Sequence, residues 1–338
     1  MKKFDVYAIG NALVDIEYHS TVENLLLLNI DKGVMTLIDE QRQNNLMSQL
    51  GESHQSMACG GSAANTVIAL AQMGAKTHFD CRVSNDMAGQ VYAQDLHRSG
   101  VSSILDEKQA PRGITGKCLV FVTPDADRSM NTFLGVSSEL DKSDIDEEAI
   151  KHSRYVYLEG YLASGESTRD AAIEVRRIAE QRGIKTALSL SDPNMVAFFR
   201  DGLEAMIGDR VDLLFANEDE ACALAQTSDF NEAIEAFKKI SNRFAITRGK
   251  QGSTLYDGLN IIDIKPHKVE AIDTLGAGDM YAGAFLYGLL QDMGFHRSGD
   301  LASLASAEIV TQYGPRLAGE QTQALLASFN AGNSPTNS

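Results

Sequence analysis

The residues best suited to chemistry lie near the C-terminal end, where residues 273–279 read Asp-Thr-Leu-Gly-Ala-Gly-Asp and an apolar run follows at 280–290. The run predicts a buried helix, whose first main-chain N–H groups lack intrahelical partners and carry the positive end of the helix dipole. The Gly-Ala-Gly turn lets the backbone approach a phosphate closely. The carboxylate of Asp279 could orient or deprotonate an attacking hydroxyl, so the pattern indicates phosphoryl transfer to an alcohol. A tight turn capped by Asp279 is the structural alternative.

A second glycine-containing segment lies at 59–66. Gly60 and Gly61 precede a predicted helix whose first turn carries Ser62 and Asn65. The helix N–H groups and the Asn65 amide could bind the hydroxyl groups of a polar ligand. Taken alone, two glycines before a helix are more often a structural turn, and that alternative stays open.

Polar residues also follow predicted strands. Asn11 and Asp15 come after the first strand, and a carboxylate suits a pair of neighbouring hydroxyls; the alternatives are an Asx-turn and a solvated acid. Asn217 and Glu220 are three residues apart, so on a helical turn they share a face and could order water around Mg²⁺. A capped, acidic helix start is the alternative there.

Three further candidates lie near the same predicted edge. Thr247 and Gly249 end another strand beside two basic residues and offer a hydroxyl and a flexible backbone. Arg128 lies in a predicted hairpin, where it could clamp a phosphate or be an ordinary exposed arginine.

Composition bears on the partners and the cellular compartment of the protein. The 338 residues carry a net charge of −16, which argues against nucleic acid and anionic membranes as partners. The four cysteines form no C-x-x-C pair and indicate reduced thiols in a cytoplasmic protein. No apolar run reaches the roughly 18 residues that a membrane span needs, and the N-terminus is too polar for a signal peptide. Small polar residues at 331–338 predict a flexible tail.

Alternating strands and helices from residue 155 onwards predict a mostly parallel sheet covered by helices. Segments 14–39 and 114–136 break this alternation and predict exposed strands of a small β layer. Such a layer would form a lid over the carboxyl ends of the parallel strands, where ligands bind. The predicted strands are 6–10, 79–83, 155–158, 186–190, 212–216 and 244–247; the predicted helices are 62–73, 88–99 and 168–182; the predicted hairpins are 117–122 with 131–134 and 253–257 with 260–264.

Together and in this order, these pieces resemble the PfkB (ribokinase-like) carbohydrate kinase family over about residues 5–315. Gly60-Gly61-x-x-x-Asn65 is similar to its N-terminal signature, residues 273–279 to its C-terminal signature, and Asn217-x-x-Glu220 to its magnesium-associated motif. Residues 10–15, Gly-Asn-Ala-Leu-Val-Asp, and 313–316, Tyr-Gly-Pro-Arg, look most like the adenosine kinase branch.

The resemblance implies an α/β fold: a ribokinase-like, Rossmann-type αβα three-layer sandwich with a small β-sheet lid, within one domain of residues 1–330. It implies ATP-dependent phosphorylation of a hydroxymethyl group, with Asp279 as catalytic base and with Mg²⁺; in some members K⁺ lies near Asp273. The other implied roles are an anion hole of Gly276, Ala277 and Gly278; substrate binding by Asn11, Leu13, Asp15, Gly60, Gly61, Asn65 and Tyr161; ATP binding by Asn217, Thr247, Gly249, Asp273 and Thr274; and water-mediated Mg²⁺ binding by Asn217 and Glu220.

We therefore expect a kinase acting on a nucleoside 5′-hydroxyl, adenosine first, with Asp279 ionised near neutral pH at its helix N-terminus. Inosine, guanosine, or a free sugar such as ribose, fructose or a keto-deoxy sugar acid stay open as substrates, as do monomer and homodimer. An NAD-dependent oxidoreductase is disfavoured because no strand is followed by G-x-G-x-x-G. A non-catalytic metabolite sensor is disfavoured because it has no need of a base.

Overall fold

A nine-stranded sheet forms the middle layer of the protein, whose computed structural model describes residues 2–51, 56–106, 110–125 and 127–331. The strands of the described residues are β1 (Phe4–Ile9), β2 (Leu13–His19), β3 (Met35–Leu37), β4 (Ser56–Gly60), β5 (Thr77–Asp80), β6 (Ser102–Ser103), β7 (Thr115–Val122), β8 (Arg128–Gly135), β9 (Ser153–Glu159), β10 (Lys185–Ser189), β11 (Leu213–Asn217), β12 (Phe244–Thr247), β13 (Ser253–Tyr256) and β14 (Ile261–Ile264). The large sheet has the order β14-β13-β12-β11-β10-β9-β1-β5-β6. Its pairs are parallel except for two antiparallel pairs, β12 with β13 and β13 with β14. The pair of β13 and β14 is the second predicted hairpin.

Helices cover both faces of this sheet. The α-helices of the described residues are α1 (Val22–Leu27), α2 (Glu40–Leu50), α3 (Ser62–Gln72), α4 (Met87–Arg98), α5 (Glu147–Lys151), α6 (Glu166–Gln181), α7 (Pro193–Ile207), α8 (Glu218–Ala225), α9 (Phe230–Ile240), α10 (Ala277–Leu290), α11 (Phe295–Ile309) and α12 (Gly319–Ala331). Of these, α2 lies against β8, outside the large sheet. Successive strand residues point to opposite faces, so Val6 and Ala8 join the core with α3, α10 and α11, while Tyr7 and Ile9 join the core with α6 and α7. A strand buried on both faces reads as a continuous apolar run. The expected αβα three-layer sandwich is confirmed.

Five strands form a second, small sheet in the order β3-β8-β7-β2-β4. The predicted hairpin is present, since β7 pairs antiparallel with β8. The expectation of exposed strands within 14–39 is wrong in two respects. Ile16 and Tyr18 of β2 are buried. Part of the segment forms α1 instead, because the Thr21 hydroxyl accepts a hydrogen bond from the Asn24 N–H and caps a helix start.

Some expectations concern ends and general properties of the chain. All four cysteines are free thiols, and three of them are buried. Among the helices of the described residues, none is both long and apolar enough to cross a bilayer. Ala331 ends α12, whereas the rest of the predicted tail, and Ala126 in the predicted hairpin turn, lie outside the described residues.

Candidate active site

A row of polar side chains follows the carboxyl ends of the parallel strands. Glu159, Ser189, Asn217 and Thr247 end β9, β10, β11 and β12, and the sheet register pairs Glu159 with Ser189 and Asn217 with Thr247. All four line a cavity of about 460 Å³ that the small sheet covers from the other side. A cavity of this size and position fits a small ligand.

Asp279 lies in the first turn of α10 and contacts the first turn of α3. Its Oδ1 accepts a hydrogen bond from the Ser62 hydroxyl at 2.6 Å, and its Oδ2 accepts one from the Asn65 amide at 2.9 Å. The two glycine segments therefore meet at one carboxylate. Burial raises the pKa of Asp279, while these two hydrogen bonds and the charge of Arg316 oppose the rise. Burial is therefore the dominant influence on this carboxyl, and the raised pKa makes Asp279 a stronger base.

The turn before α10 leaves main-chain donors free. Gly276 has a φ of +74°, and a Cβ there would lie 2.3 Å from the Pro315 carbonyl oxygen. Gly278 faces open space, with no atom within 4 Å of the position that a Cβ would occupy. Within the described residues, the N–H groups of Gly276, Gly278 and Asp279 have no intramolecular partner, whereas Ala277 donates to the Thr274 carbonyl at 3.3 Å. Three of these four N–H groups can therefore bind an anion.

The substrate-binding candidates surround Asp279. Asn11, Leu13, Asp15, Gly61, Asn65 and Tyr161 all line the cavity. Gly60 does not line the cavity, but the position requires glycine because a Cβ there would lie 2.1 Å from the Asp15 carboxylate. Burial raises the pKa of Asp15 to about 7, an effect that Arg316 opposes and Asp279 reinforces.

Glu159 is a site residue that sequence reasoning missed. Its carboxylate is buried and accepts hydrogen bonds from the Asn11 N–H at 3.1 Å, the Asn11 Nδ2 at 3.0 Å and the Ala63 N–H at 2.8 Å. The Asn11 Oδ1 is consequently left, among the described residues, as a buried acceptor without a partner. Such an atom can accept a donor from a ligand. Its position directly after the predicted strand 155–158 could have identified Glu159 as a site residue, because ligands bind at the carboxyl ends of parallel strands.

The ATP-binding candidates divide in two. Asn217, Thr247 and Thr274 line the cavity, whereas Gly249 and Asp273 do not. Gly249 lies in a turn with a φ of +52° and open space around it.

Asn217 and Glu220 form a capping box at the start of α8. The Glu220 carboxylate accepts from the Asn217 N–H at 3.0 Å and Nδ2 at 2.8 Å, while the Asn217 Oδ1 accepts from the Glu220 N–H at 2.8 Å. Burial raises the pKa of Glu220 to about 8. Among the described residues no group of three His, Cys, Asp or Glu could hold a metal directly. The capped helix start that was the alternative interpretation is therefore present, and water-mediated Mg²⁺ binding by these two residues stays a prediction.

Arg128 is not the exposed arginine that was the alternative to a clamp. It is buried at the start of β8, where its guanidinium contacts the Asp273 carboxylate and lies 3.8 Å from Glu17. Asp273 also accepts from the N–H groups of Leu275 at 2.8 Å and Gly314 at 2.7 Å. Arg128 therefore joins the small sheet to the loop that precedes α10.

The small sheet presents an apolar wall to the cavity. This wall consists of Leu13, Met35, Leu37, Cys118 and Leu134, which come from four of its strands. Among the described residues that line the cavity, Arg128 is the only lysine or arginine. The cavity thus combines a polar edge around Asp279 with an apolar wall.

Comparison with known proteins agrees with this geometry. Residues 26–322 match the pfkB family of carbohydrate kinases. The chain belongs to that family. A probable sugar kinase from Rhizobium etli superposes with a TM-score of 0.90 at 34% identity, covering 97% of this chain and 100% of that one. An adenosine kinase from Sinorhizobium meliloti superposes with a TM-score of 0.89 at 35% identity, covering 96% and 99%. The 5-dehydro-2-deoxygluconokinase of Clostridium perfringens is 25% identical over 270 residues, which are 75% of this chain and 78% of that protein.

Membership of the pfkB family settles the type of reaction. The protein is a phosphotransferase with an alcohol acceptor, and the family uses ATP as co-substrate. The relatives include both sugar kinases and adenosine kinases, so the family does not by itself select the acceptor.

Proposed function

We propose that this pfkB-family member is an ATP- and Mg²⁺-dependent kinase that phosphorylates the 5′-hydroxymethyl group of a nucleoside, with adenosine as the first candidate. The apolar wall opposite Asp279 is the observation that carries this proposal, because a flat, uncharged base can bury its faces there. A keto-deoxy sugar acid would instead bring a carboxylate. Within the described lining the only cation is Arg128, which Asp273 already pairs.

In the proposed reaction, the acceptor hydroxyl lies beside Asp279 with the ribose hydroxyls near Asp15. The hydroxyl proton moves to the Asp279 carboxylate as the oxygen attacks the γ-phosphorus, and ADP leaves. The free N–H groups of Gly276 and Gly278 stabilise the charge on the transferred phosphoryl group. Mg²⁺, with water ordered by Asn217 and Glu220, neutralises phosphate charge when bound. A phosphate clamp by Arg128 stays a prediction, and it requires the guanidinium to exchange its contact with Asp273 for phosphate oxygens when the small sheet closes as a lid.

Two smaller expectations belong to this proposal. A cytoplasmic location is supported by the four free thiols. The idea of K⁺ near Asp273 stays a prediction, and the carboxylate itself is already engaged by Arg128 and by two main-chain N–H groups.

An ADP-coupled assay over adenosine, inosine, guanosine, ribose, fructose and a keto-deoxy sugar acid tests the proposal. Burying about 100 Å² of a base on the apolar wall contributes about 2.5 kcal/mol, so kcat/KM for adenosine should exceed that for ribose about 70-fold. Asp279→Asn, assayed in parallel, shows whether any turnover comes from a contaminating kinase. Turnover of a sugar or sugar acid with none of any nucleoside would identify a sugar kinase instead.

A further inference from the structure

Arg316 lies behind the active site, between α11 and α12, and not in the cavity lining. Its Nε donates to the Asn65 Oδ1 at 2.8 Å, and its Nη1 donates to Asp95 at 2.6 Å. Its Nη2 also contacts the Cys59 main-chain oxygen. The guanidinium is therefore held in one plane by an acid and a carbonyl while its third donor reaches Asn65.

This contact decides which way the Asn65 amide points. An arginine has only donors, so the atom of Asn65 that faces it must be the oxygen. The nitrogen then necessarily faces Asp279, to which Nδ2 donates at 2.9 Å. One hydrogen of that amino group is used by Asp279, and the second, which has no partner among the described residues, can bind an acceptor hydroxyl. A reversed amide would place its oxygen against the Asp279 carboxylate and leave Arg316 facing hydrogens.

We propose that Arg316 is a positioning residue: it fixes the Asn65 amide so that Asn65 holds the catalytic carboxylate of Asp279 and presents its remaining hydrogen to the acceptor. The inference rests on the proposed role of Asp279 as base. It adds a residue that touches neither substrate nor base, and it gives the C-terminal segment a part in catalysis. The ion pair with Asp95 and the contact with Cys59 hold Arg316 in place for this role.

A double-mutant cycle of Arg316→Met and Asn65→Ala tests the proposal, with kcat and the acceptor KM measured separately. We expect Arg316→Met to lower kcat about 10- to 100-fold, since a base displaced by about 1 Å loses that much, with acceptor KM changed less than about 3-fold. The double variant should be no slower than Asn65→Ala alone, because both changes remove the same alignment. Arg82→Met is the matched control: Arg82 also bridges an aspartate, Asp144, and a carbonyl, that of Glu139, but does not line the cavity.

Several results would overturn the inference. One is a folded Arg316→Met with kcat within about 2-fold of wild type. A second is a double variant whose loss is the product of the single losses, since Arg316 would then act independently of Asn65. If Arg316→Met does not fold, Arg316→Lys takes its place, because an ammonium also has only donors and can still face the Asn65 oxygen. A folded Arg316→Lys whose kcat is as low as that of Asn65→Ala would refute the orientation argument. A wild type inactive on every acceptor would instead refute the proposed function, so the two failures are distinguishable.

Discussion

Asp279→Asn isolates the chemistry of the base, because it keeps the size of the side chain. In the wild type, one carboxylate oxygen accepts from Ser62 and the other from Asn65. An asparagine offers only one oxygen, so one of these donors must face an amino group. If the amino group faces Ser62, the hydroxyl can accept from it, so the fold loses at most one hydrogen bond, worth about 1 kcal/mol. The change also removes a charge that burial disfavours, as the raised pKa of Asp279 shows. These two effects oppose each other, so we expect the unfolding free energy to stay within about 1 kcal/mol of wild type.

The effect on turnover should be far larger. A general base contributes about 10²- to 10⁴-fold, which corresponds to about 2.7–5.5 kcal/mol of the activation barrier. We therefore expect kcat to fall by two to four orders of magnitude, while the acceptor Kd changes only a few-fold. The measurements are steady-state kinetics with an ADP-coupled assay, calorimetric titration of the acceptor without ATP, and thermal unfolding.

Asp170→Asn is the matched control, since Asp170 is exposed on α6 and lines no part of the cavity. It should leave kcat unchanged. Near-wild-type kcat in Asp279→Asn would show that no base is needed at this position. A lost kcat accompanied by an unfolding free energy several kcal/mol below wild type would mean that Asp279 acts as a structural cap, which was the alternative interpretation of the motif.

Three other predictions follow from glycine geometry, burial and charge. Gly278→Ala should fold at least as well as wild type, because the space around Gly278 is open and alanine favours a helix, but it should raise the KM for ATP. Gly276→Ala should instead lower the melting temperature, because Gly276 has a φ of +74° and a Cβ there would clash with Pro315. The pKa of Glu220 is about 8 in the native state and 4.5 in the unfolded chain, so the native state binds this proton more tightly and the unfolding free energy falls as pH rises between these values. Glu220→Gln keeps the capping box and has no proton to lose, so its melting temperature should exceed that of wild type by a margin that grows from pH 5 to pH 8. A margin that does not change with pH would contradict the raised pKa. Arg128→Met should lower the unfolding free energy measured in urea by about 3–5 kcal/mol, because it leaves the buried Asp273 carboxylate without its arginine. Adding Asp273→Asn to this variant should restore part of the lost free energy. Equal losses in the single and the double variant would show that the two residues are not coupled.

Local patterns account for the parts of the fold that were predicted. The strands 155–158 and 244–247 were found to within two residues, because a strand buried on both faces is apolar throughout and glycine or polar residues end it. The turn and helix at 276–290 were found for the same reason, since the glycines and the apolar run are contiguous. Nothing beyond neighbouring residues is needed to recognise such elements.

What was missed depends on contacts between distant residues. The apolar residues of α2 are only Leu46, Met47 and Leu50, all in its C-terminal half, so they are too few to predict the whole helix. Glu159 became a site residue because Asn11 and Ala63, which are 148 and 96 residues away along the chain, donate to it. Arg128 looked exposed because its partner Asp273 comes from a loop on the other side of the cavity. No pattern in a single sequence reports such pairings.

The proposed base and the three groups around it come from opposite ends of the chain: Ser62 and Asn65 from its first fifth, Asp279 and Arg316 from its last. A nascent chain still lacking the residues from 273 onwards can complete the strands of the large sheet through β14, but it has neither base nor anion-binding turn. During synthesis the protein can therefore acquire the core on the α6 and α7 face of the sheet, whereas the opposite core, which needs α10 and α11, and phosphate transfer must wait for the last residues. Catalytic competence then appears late and abruptly, when α10 packs against α3, so premature termination anywhere upstream yields protein that is inactive rather than partly active.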